Sequence, residues 1–142
     1  MSYAAPSRRY AQRSVGSYAQ VGVETEVLSA SPEHLITLLF NGARAAILQA
    51  KLHMQQNNIA ARGQAISKAI DIVDTGLKMA VDKEKGGELA NNLITVYDII
   101  IQNLMLANLH NDGEKLNLAE RLLHDISDAW KTSVDIKRPS ST

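Results

Sequence analysis

Apolar residues recur every three or four positions from Ser31 to Trp130, the spacing that places them on one face of an α-helix. Asparagine and glycine interrupt this pattern where turns are expected. Residues 1–30 show no sustained periodicity and are predicted to form a flexible arm. The pattern predicts four helices: Pro32 to about Gln56, Ile59 to about Asp82, Gly87 to Asn111, and Gly113 to Trp130.

Local residue chemistry predicts where these helices begin. Ser31 precedes Pro32, so its hydroxyl can cap free N–H groups while the proline occupies the first helical position. Asn58 and Asp112 are expected to cap the second and fourth helices in the same way. The Gly86-Gly87 pair is expected to end the preceding segment and to open the third helix.

Each predicted helix has one apolar stripe that is expected to face a common core. The fold class predicted is all-α, an antiparallel up-down-up-down four-helix bundle over residues 31–131, with the arm before it and a disordered tail over 132–142. The predicted core residues are Ile36, Phe40, Ala43, Ile47, Ala50 and Met54 in the first helix; Ile59, Ile66, Ala69, Ile70, Val73, Leu77 and Ala80 in the second; Leu89, Leu93, Val96, Ile100, Leu104 and Ala107 in the third; and Leu116, Ala119, Leu122, Leu123, Ile126, Ala129 and Trp130 in the fourth.

Three of the helices carry a second apolar stripe that a four-helix core does not need. The stripes consist of Leu38, Leu48 and Leu52 in the first helix, Ile72 and Met79 in the second, and Ile99 and Leu106 in the third. Such surplus stripes are explained by additional packing, by the arm lying over one of them, or by a homodimer. They are equally explained by an exposed groove that takes an amphipathic segment of a partner.

Composition excludes several classes of protein. The formal net charge is zero and the basic residues form no stripe, so nothing indicates nucleic-acid binding. The chain has no cysteine, which excludes disulfides and thiolate metal sites. No apolar run approaches the length of a membrane span, and the N-terminus lacks the apolar region of a secretory signal. We therefore expect a cytoplasmic protein without membrane insertion.

Motifs for catalysis, metal binding or a cofactor are missing from the sequence. The four histidines, His34, His53, His110 and His124, show neither the Glu-x-x-His spacing of di-iron bundles nor a pair four residues apart. We interpret His53 as a partly buried structural residue. Gly86-Gly87 follows a helix and lacks the further glycines of a phosphate loop. The sequence thus predicts a protein that is not an enzyme and needs no cofactor or metal.

Five segments together resemble the flagellar secretion chaperone family FliS. They are SYAQVGVETEVLSASPEHLITLLFNGA, SKAIDIVDTGL, EKGGELANNLITVYD, LMLANLHND and ISDAW. The resemblance extends from about Val15 to Trp130, with ASP-x-x-LI, KGGE, NL-x-x-x-YD and AN-x-x-ND in the family's order. Two features depart from it: Asn41 stands where the family usually has Asp, and the arm has extra residues that include Arg8 and Arg9.

This resemblance implies a function and its partners. Members bind the disordered C-terminal segment of newly made flagellin, prevent its premature polymerisation and help deliver it to the flagellar export gate protein FlhA. The arm is implied to cover part of the flagellin site in the free chaperone and to act at the gate, with Val15 and Tyr18 as its contact residues. We expect the surplus apolar stripes to contact flagellin. The alternatives are a structural homodimer and a regulatory protein that binds a transcription inhibitor in the same grooves.

Overall fold

The structure, a computed structural model, describes residues 31–137, with side chains through Ser133. It contains four α-helices and, over these residues, no strand, which confirms the predicted all-α class. The helices are α1 (Pro32–Gln55), α2 (Ile59–Asp71), α3 (Lys83–His110) and α4 (Gly113–Lys137), and a π-helical segment (Ile72–Lys78) follows α2 directly. The predicted arm, including Val15 and Tyr18, lies outside the described residues.

Three of the predicted helix starts are confirmed by capping hydrogen bonds. In each case a side-chain oxygen accepts from a backbone N–H of the first helical turn, which would otherwise have no partner. The bonds run from His34 N to Ser31 Oγ (3.1 Å), from Ala61 N to Asn58 Oδ1 (3.3 Å) and from Glu114 N to Asp112 Oδ1 (3.0 Å). The first, second and fourth helices therefore begin where their capping residues predict.

The start of α3 was predicted one turn too late. The Asp82 carboxylate accepts from the N–H groups of Glu84 and Lys85, so the helix begins at Lys83. Gly87 lies inside α3 as a kink, with φ 56° and ψ −128°. Glycine adopts this conformation readily whereas residues with a Cβ atom do not. The glycines therefore bend a helix that the aspartate has already started.

The second helix was predicted as one α-helix as far as Asp82, whereas the helical chain changes to π-helical geometry after Asp71 and ends at Lys78. α2 ends at Asp71 and the chain continues as the π-helical segment, in which each turn takes up one more residue. A Cβ atom on Gly76 would lie 3.0 Å from Leu39 Cδ2, so the missing side chain lets α1 approach closely. The Thr75 hydroxyl donates to the Asp71 carbonyl (2.7 Å) and satisfies an acceptor at the junction.

Towards the C-terminus, α4 is longer than predicted. It continues to Lys137, whereas the bundle was expected to end at residue 131 and a disordered tail to begin at 132. Polar residues do not break a helix if their backbone hydrogen bonds form. The sequence signal for the end is Pro139, because the residue before a proline is sterically disfavoured in a helix.

One stripe from each helix forms the core, as the pattern predicted. The fully buried large side chains include Phe40, Ile47, Ile66, Leu77, Ile100, Leu104, Leu116 and Leu123. Four predicted core residues are exposed instead: Ile59 and Leu89 near helix starts, Ala80 in a turn, and Ala129. In α4 the completely buried Ser127 takes the inward position that had been assigned to Ala129. The core is therefore narrower than the sequence pattern suggested.

Specific contacts join α1 to α4. The chain divides into two compact units between Leu35 and Ile36, and these contacts belong to the second unit. Trp130 Nε1 donates to Thr37 Oγ1 (3.3 Å), and Lys51 forms an ion pair with Glu120. Residues near the beginning of α1 thus meet the end of α4, and residues near its end meet the middle of α4.

A second set of contacts joins α2 and the π-helical segment to α3. Lys78 Nζ lies 2.6 Å from Asp98 Oδ1, and the Arg62 guanidinium binds Asn108. The hydrogen bond from Lys78 to Asp98 raises the pKa of the lysine, which is therefore charged at neutral pH. Lys78 also lies 3.9 Å from Asp74, one helical turn before it, which is a longer contact.

Among the described residues, α3 is long and apolar enough to cross a membrane, judged by length and composition alone. The sequence analysis had predicted no such segment. In the structure one face of α3 packs in the core through Ile100, Leu104 and Ala107, and Asp98 is paired with Lys78. One face of α3 thus has the contacts of a core helix, while much of its apolar surface lies outside the core.

We expect Gly87→Ala to lower the free energy of unfolding by about 1–3 kcal/mol, because an L-residue is strained at this φ and ψ. Nothing lies within 4 Å of the added Cβ, so backbone strain is the whole effect. The matched control is Gly63→Ala in α2, where the Cβ would lie 3.7 Å from Asn108 and helix propensity should add about 0.4–1 kcal/mol. Urea denaturation measures both, and equal effects of the two changes would contradict the assigned kink.

The burial of Tyr97 predicts a loss of stability at alkaline pH. Burial raises its pKa to about 12, while an unfolded tyrosine ionises near pH ~10. The folded state therefore favours neutral Tyr97, and the free energy of unfolding should fall by up to about 2–3 kcal/mol as the pH rises from about 10 to 12. Tyr97→Phe should remove this part of the pH dependence. Absorbance titration of the folded wild type minus the variant isolates Tyr97, and ionisation at its ordinary pKa would refute the assignment.

Candidate binding surface

The outward side of α1 carries no charge. Thr37 and Lys51 turn towards α4, whereas Leu39 and Gly42 turn towards the π-helical segment. Between these two sides lies a strip that we call the α1 outer face, and every exposed side chain of α1 from Ile36 to Gln55 belongs to it. It consists of the half-buried Leu38 and the exposed Asn41, Ala45, Leu48, Gln49, Leu52 and Gln55.

Two of the three stripe residues predicted on α1 are strongly exposed. Leu48 is 61% exposed and Leu52 is 52% exposed, and they lie one turn apart. Leu38 shares their side of the helix but is half-buried. Large side chains this exposed, with amides beside them and the half-buried Arg44 at the edge, are a common property of protein interaction sites. The structure thus brings Leu38, Leu48 and Leu52 together on one surface.

A similar surface lies on α3, which we call the α3 outer face. Between Leu89 and Leu109 the sequence has one charged residue, Asp98, and that residue is paired with Lys78. Ile99 is 41% exposed and Leu106, seven residues later, is half-buried on the same side. The α3 outer face consists of Asn92, Thr95, Ile99, Gln102, Met105, Leu106 and Leu109.

Sequence reasoning missed part of this surface. Met105 and Leu109 are not among the predicted stripe residues, yet both are largely exposed. They extend the predicted pair of Ile99 and Leu106 to the C-terminal end of the helix. The signal was present in the sequence, because Leu109 lies three residues after Leu106 and therefore near it on a helix.

The stripe residues predicted for the second helix do not form a comparable surface. Ile72 is half-buried and packs against the core near Gly42. Met79 is 77% exposed and lies beyond the π-helical segment, where it lines a shallow pocket of about 360 Å³ with Val81 and Ile94. The pocket also has Lys78, Asp82, Lys83 and Glu84 around it. Met79 therefore lies in a charged setting, apart from the two uncharged faces.

The exterior of α4 provides a contrast within the same molecule. Its exposed side chains are mostly charged or polar, and His124 lies 3.1 Å from Asp128, an ion pair when the histidine is protonated. This confirms the prediction that the fourth helix has no second apolar side. The exposed residues of α4 up to Lys131 are Glu114, Asn117, Arg121, His124, Asp125, Asp128, Ala129 and Lys131.

Among the side chains that the structure describes, no three of His, Asp or Glu are grouped so that they could hold a metal ion. His53 is half-buried in α1, as the sequence predicted, while His34, His110 and His124 are exposed. The arrangement that distinguishes this surface is apolar and amide-rich, and its chemistry is that of contact with another polypeptide.

Known proteins are similar to this chain over most of its length. The profile of the family described as Flagellar protein FliS matches residues 14–137. The chain is 48% identical over 122 residues to the flagellar secretion chaperone FliS of Salmonella typhimurium, covering 86% of this chain and 90% of that protein. It is 43% identical over 125 residues to the FliS of Escherichia coli, covering 88% and 92%. It is 39% identical over 121 residues to the chaperone FliSB of Pseudomonas aeruginosa, covering 85% and 95%. The chain therefore belongs to the FliS family of flagellar secretion chaperones.

Proposed function

We propose that this protein is a cytoplasmic export chaperone that binds the disordered C-terminal segment of flagellin. Bound in this way, flagellin cannot polymerise prematurely and can be delivered to the flagellar export gate. The observation that carries the proposal is the pair of uncharged outer faces on α1 and α3, in a protein of which 21% of the residues are charged. The relatives named flagellar secretion chaperones support it.

The chemistry of the two faces fits such a client. The end of flagellin must be apolar on one side to pack in a filament, and in free solution that side would pair with other copies. Leu48 and Leu52 on α1, with Ile99 and Leu106 on α3, offer it apolar contacts in two separate places. A disordered segment that folds onto both loses conformational entropy, which offsets part of the contact energy. The role is binding and requires no catalysis.

The proposed topology is an up-down-up-down antiparallel bundle. It is supported by pairs of contacts in which residues early in one helix meet residues late in another, such as Thr37 with Trp130. Arg62 with Asn108 and Lys78 with Asp98 show the same opposed order between the second helix and α3. In such a bundle α1 and α3 occupy diagonal positions, so their outer faces point away from each other. One client segment would then have to wrap around the bundle to reach both.

The export gate protein FlhA and the arm complete the proposal. We assign Val15 and Tyr18 of the arm to contact with the gate and to partial cover of the flagellin site in the free chaperone. A homodimer in the absence of client would cover the same outer faces. Light scattering of the client-free protein tests for the homodimer, because a strictly monomeric protein excludes it.

The central prediction is that Ile99→Asp together with Leu106→Asp abolishes flagellin binding. Each change would place an unpaired carboxylate in an apolar contact, so affinity should fall by more than about 100-fold. Calorimetric titration with a peptide of about 50 C-terminal residues of the host flagellin measures this, and wild-type binding should show a negative heat-capacity change.

The control is Asn117→Asp together with Ala129→Asp, which adds the same two charges to the exterior of α4. This variant should bind the peptide as the wild type does. Circular dichroism must show that both variants keep their helices. If the Ile99 and Leu106 variant unfolds, those residues are core and not contact residues; if it folds and binds normally, the α3 outer face is not the site.

A further prediction separates the arm from the outer faces. Val15→Ala together with Tyr18→Ala should impair flagellin secretion more than it impairs binding of the flagellin peptide, because the arm is assigned to the export gate. Secretion is measured as flagellin in the culture medium of a strain that carries the variant. Unchanged secretion would remove the role of Val15 and Tyr18 at the gate.

A further inference from the structure

Arg62 in α2 is a buried cation without an ionic partner among the described residues. Arg62 is 8% exposed, and over residues 31–133, whose side chains the structure describes, no carboxylate lies within ion-pair distance of it. Burial of a charge is unfavourable unless the surroundings compensate for it. Arg62 must therefore be stabilised by groups that are formally neutral.

Those groups all belong to the C-terminal end of α3. Arg62 Nε donates to Asn108 Oδ1 (3.1 Å), Nη2 donates to the Asn108 carbonyl (3.1 Å), and Nη1 donates to Asn111 Oδ1. The last carbonyls of a helix carry the negative end of its dipole, so a cation is favoured there. One guanidinium thus satisfies three acceptors that lie 46 and 49 residues away in the sequence.

The same acceptors form the turn between α3 and α4. Asn111 is the C-cap of α3 in the left-handed conformation, with φ 53° and ψ 47°, and its N–H donates to the Ala107 carbonyl. The N–H of Asp112 reaches that carbonyl too (3.0 Å), while its carboxylate caps α4. The AN-x-x-ND motif at Ala107–Asp112 is therefore a helix end and a helix start, held against α2 by Arg62.

The C-terminal part of α3, next to this connection, carries the exposed apolar end of the α3 outer face. Met105 and Leu109 are 57% and 73% exposed, so their own burial contributes little to holding the last turn of α3 in place. Leu106 in the same turn is half-buried. The last turn of a helix frays when its carbonyls have no partners. One of the three bonds from Arg62 satisfies such a carbonyl, that of Asn108, and the other two hold the Asn108 and Asn111 side chains on the side that faces α2.

We infer that Arg62 is a positioning residue for the client: it holds the last turn of α3 in helical form, so that Met105, Leu106 and Leu109 present one ordered apolar surface to flagellin. This inference rests on the proposed function. Because this surface is ordered before binding, no conformational entropy is lost in ordering it when flagellin binds. If loss of the clamp leaves the turn formed only about a tenth of the time, the apparent Kd rises about tenfold.

The test replaces Arg62 with methionine, which keeps much of the apolar stem and removes every donor. Lys68→Met is the matched control, since it removes an exposed cation from the same helix. Hydrogen exchange should accelerate at the amides of residues 105–113 in Arg62→Met and stay unchanged in α1. The affinity for the flagellin peptide should fall about tenfold in Arg62→Met and not in the control.

A double-mutant comparison separates positioning from general stabilisation. In the wild type, Leu109→Ala should weaken peptide binding; in the Arg62→Met background it should have little further effect, because its turn is already disordered. Leu48→Ala, on the α1 outer face, should weaken binding equally in both backgrounds. If Arg62→Met does not fold, Asn111→Gly is used instead, because glycine keeps the left-handed cap and removes one acceptor.

Each outcome has one meaning. Additive effects of Leu109→Ala and Arg62→Met, or unchanged peptide affinity in a clamp variant whose exchange is accelerated, would overturn the positioning role and leave the proposed function intact. Failure of the wild type itself to bind the peptide would refute the proposed function, and the positioning role with it.

Discussion

A helix in a bundle of four can bury one face, and α3 has apolar side chains on more than one. Ile100 and Leu104 are completely buried, while Ile99 and Met105, next to them in sequence, remain exposed. The same constraint acts on α1, where Ile47 is buried and Leu48 is not. Because each buried stripe is already matched by its neighbours, the second stripes have no place inside the molecule. The proposed binding surface is a direct result of this surplus.

The distribution of charge determines which partners can approach the second apolar stripes. Charged residues lie on the exterior of α4, around the pocket at Met79 and at the start of α1, and apart from the half-buried Arg44 and the paired Asp98 they leave the α1 outer face and the α3 outer face uncharged. With a formal net charge of zero, long-range repulsion between copies is weak. An apolar client segment can therefore approach either outer face without displacing ion pairs. The absence of charge also makes these faces vulnerable to self-association when no client is present.

Local features of the fold could be predicted from the sequence, and features that depend on distant contacts could not. Ser31, Asn58 and Asp112 cap the helices they precede, because a cap needs only its own turn. The helix break predicted at Gly86-Gly87 is present as the kink at Gly87, but Asp82 starts α3 one turn earlier than the glycines indicate. The close approach of Leu39 to Gly76 in the π-helical segment is a contact between two helices, which no spacing within the second helix indicates.

The same distinction holds for the binding surface. Leu48, Leu52 and Ile99 could be assigned to the outside from periodicity alone, since an off-stripe residue in a helix has few alternatives. The exposure of Leu89 and Ile59 could not, because their spacing matches that of core residues and only their position near a helix start leaves them uncovered. The proposed role of Arg62 could not be inferred from the sequence for another reason: its partners are on another helix and carry no charge.

The contacts between α1 and α4 have a consequence for how the protein is made. Lys51 is separated from Glu120 by 69 residues, and Thr37 is separated from Trp130 by 93. At ribosomal rates of about 5–20 residues per second, roughly 3 to 14 seconds pass between the synthesis of Lys51 and that of its partner. Throughout that interval the inner face of α1, with Phe40 and Ile47, has no α4 to cover it. A nascent chaperone thus passes through the same exposed, apolar condition from which it is proposed to protect its client.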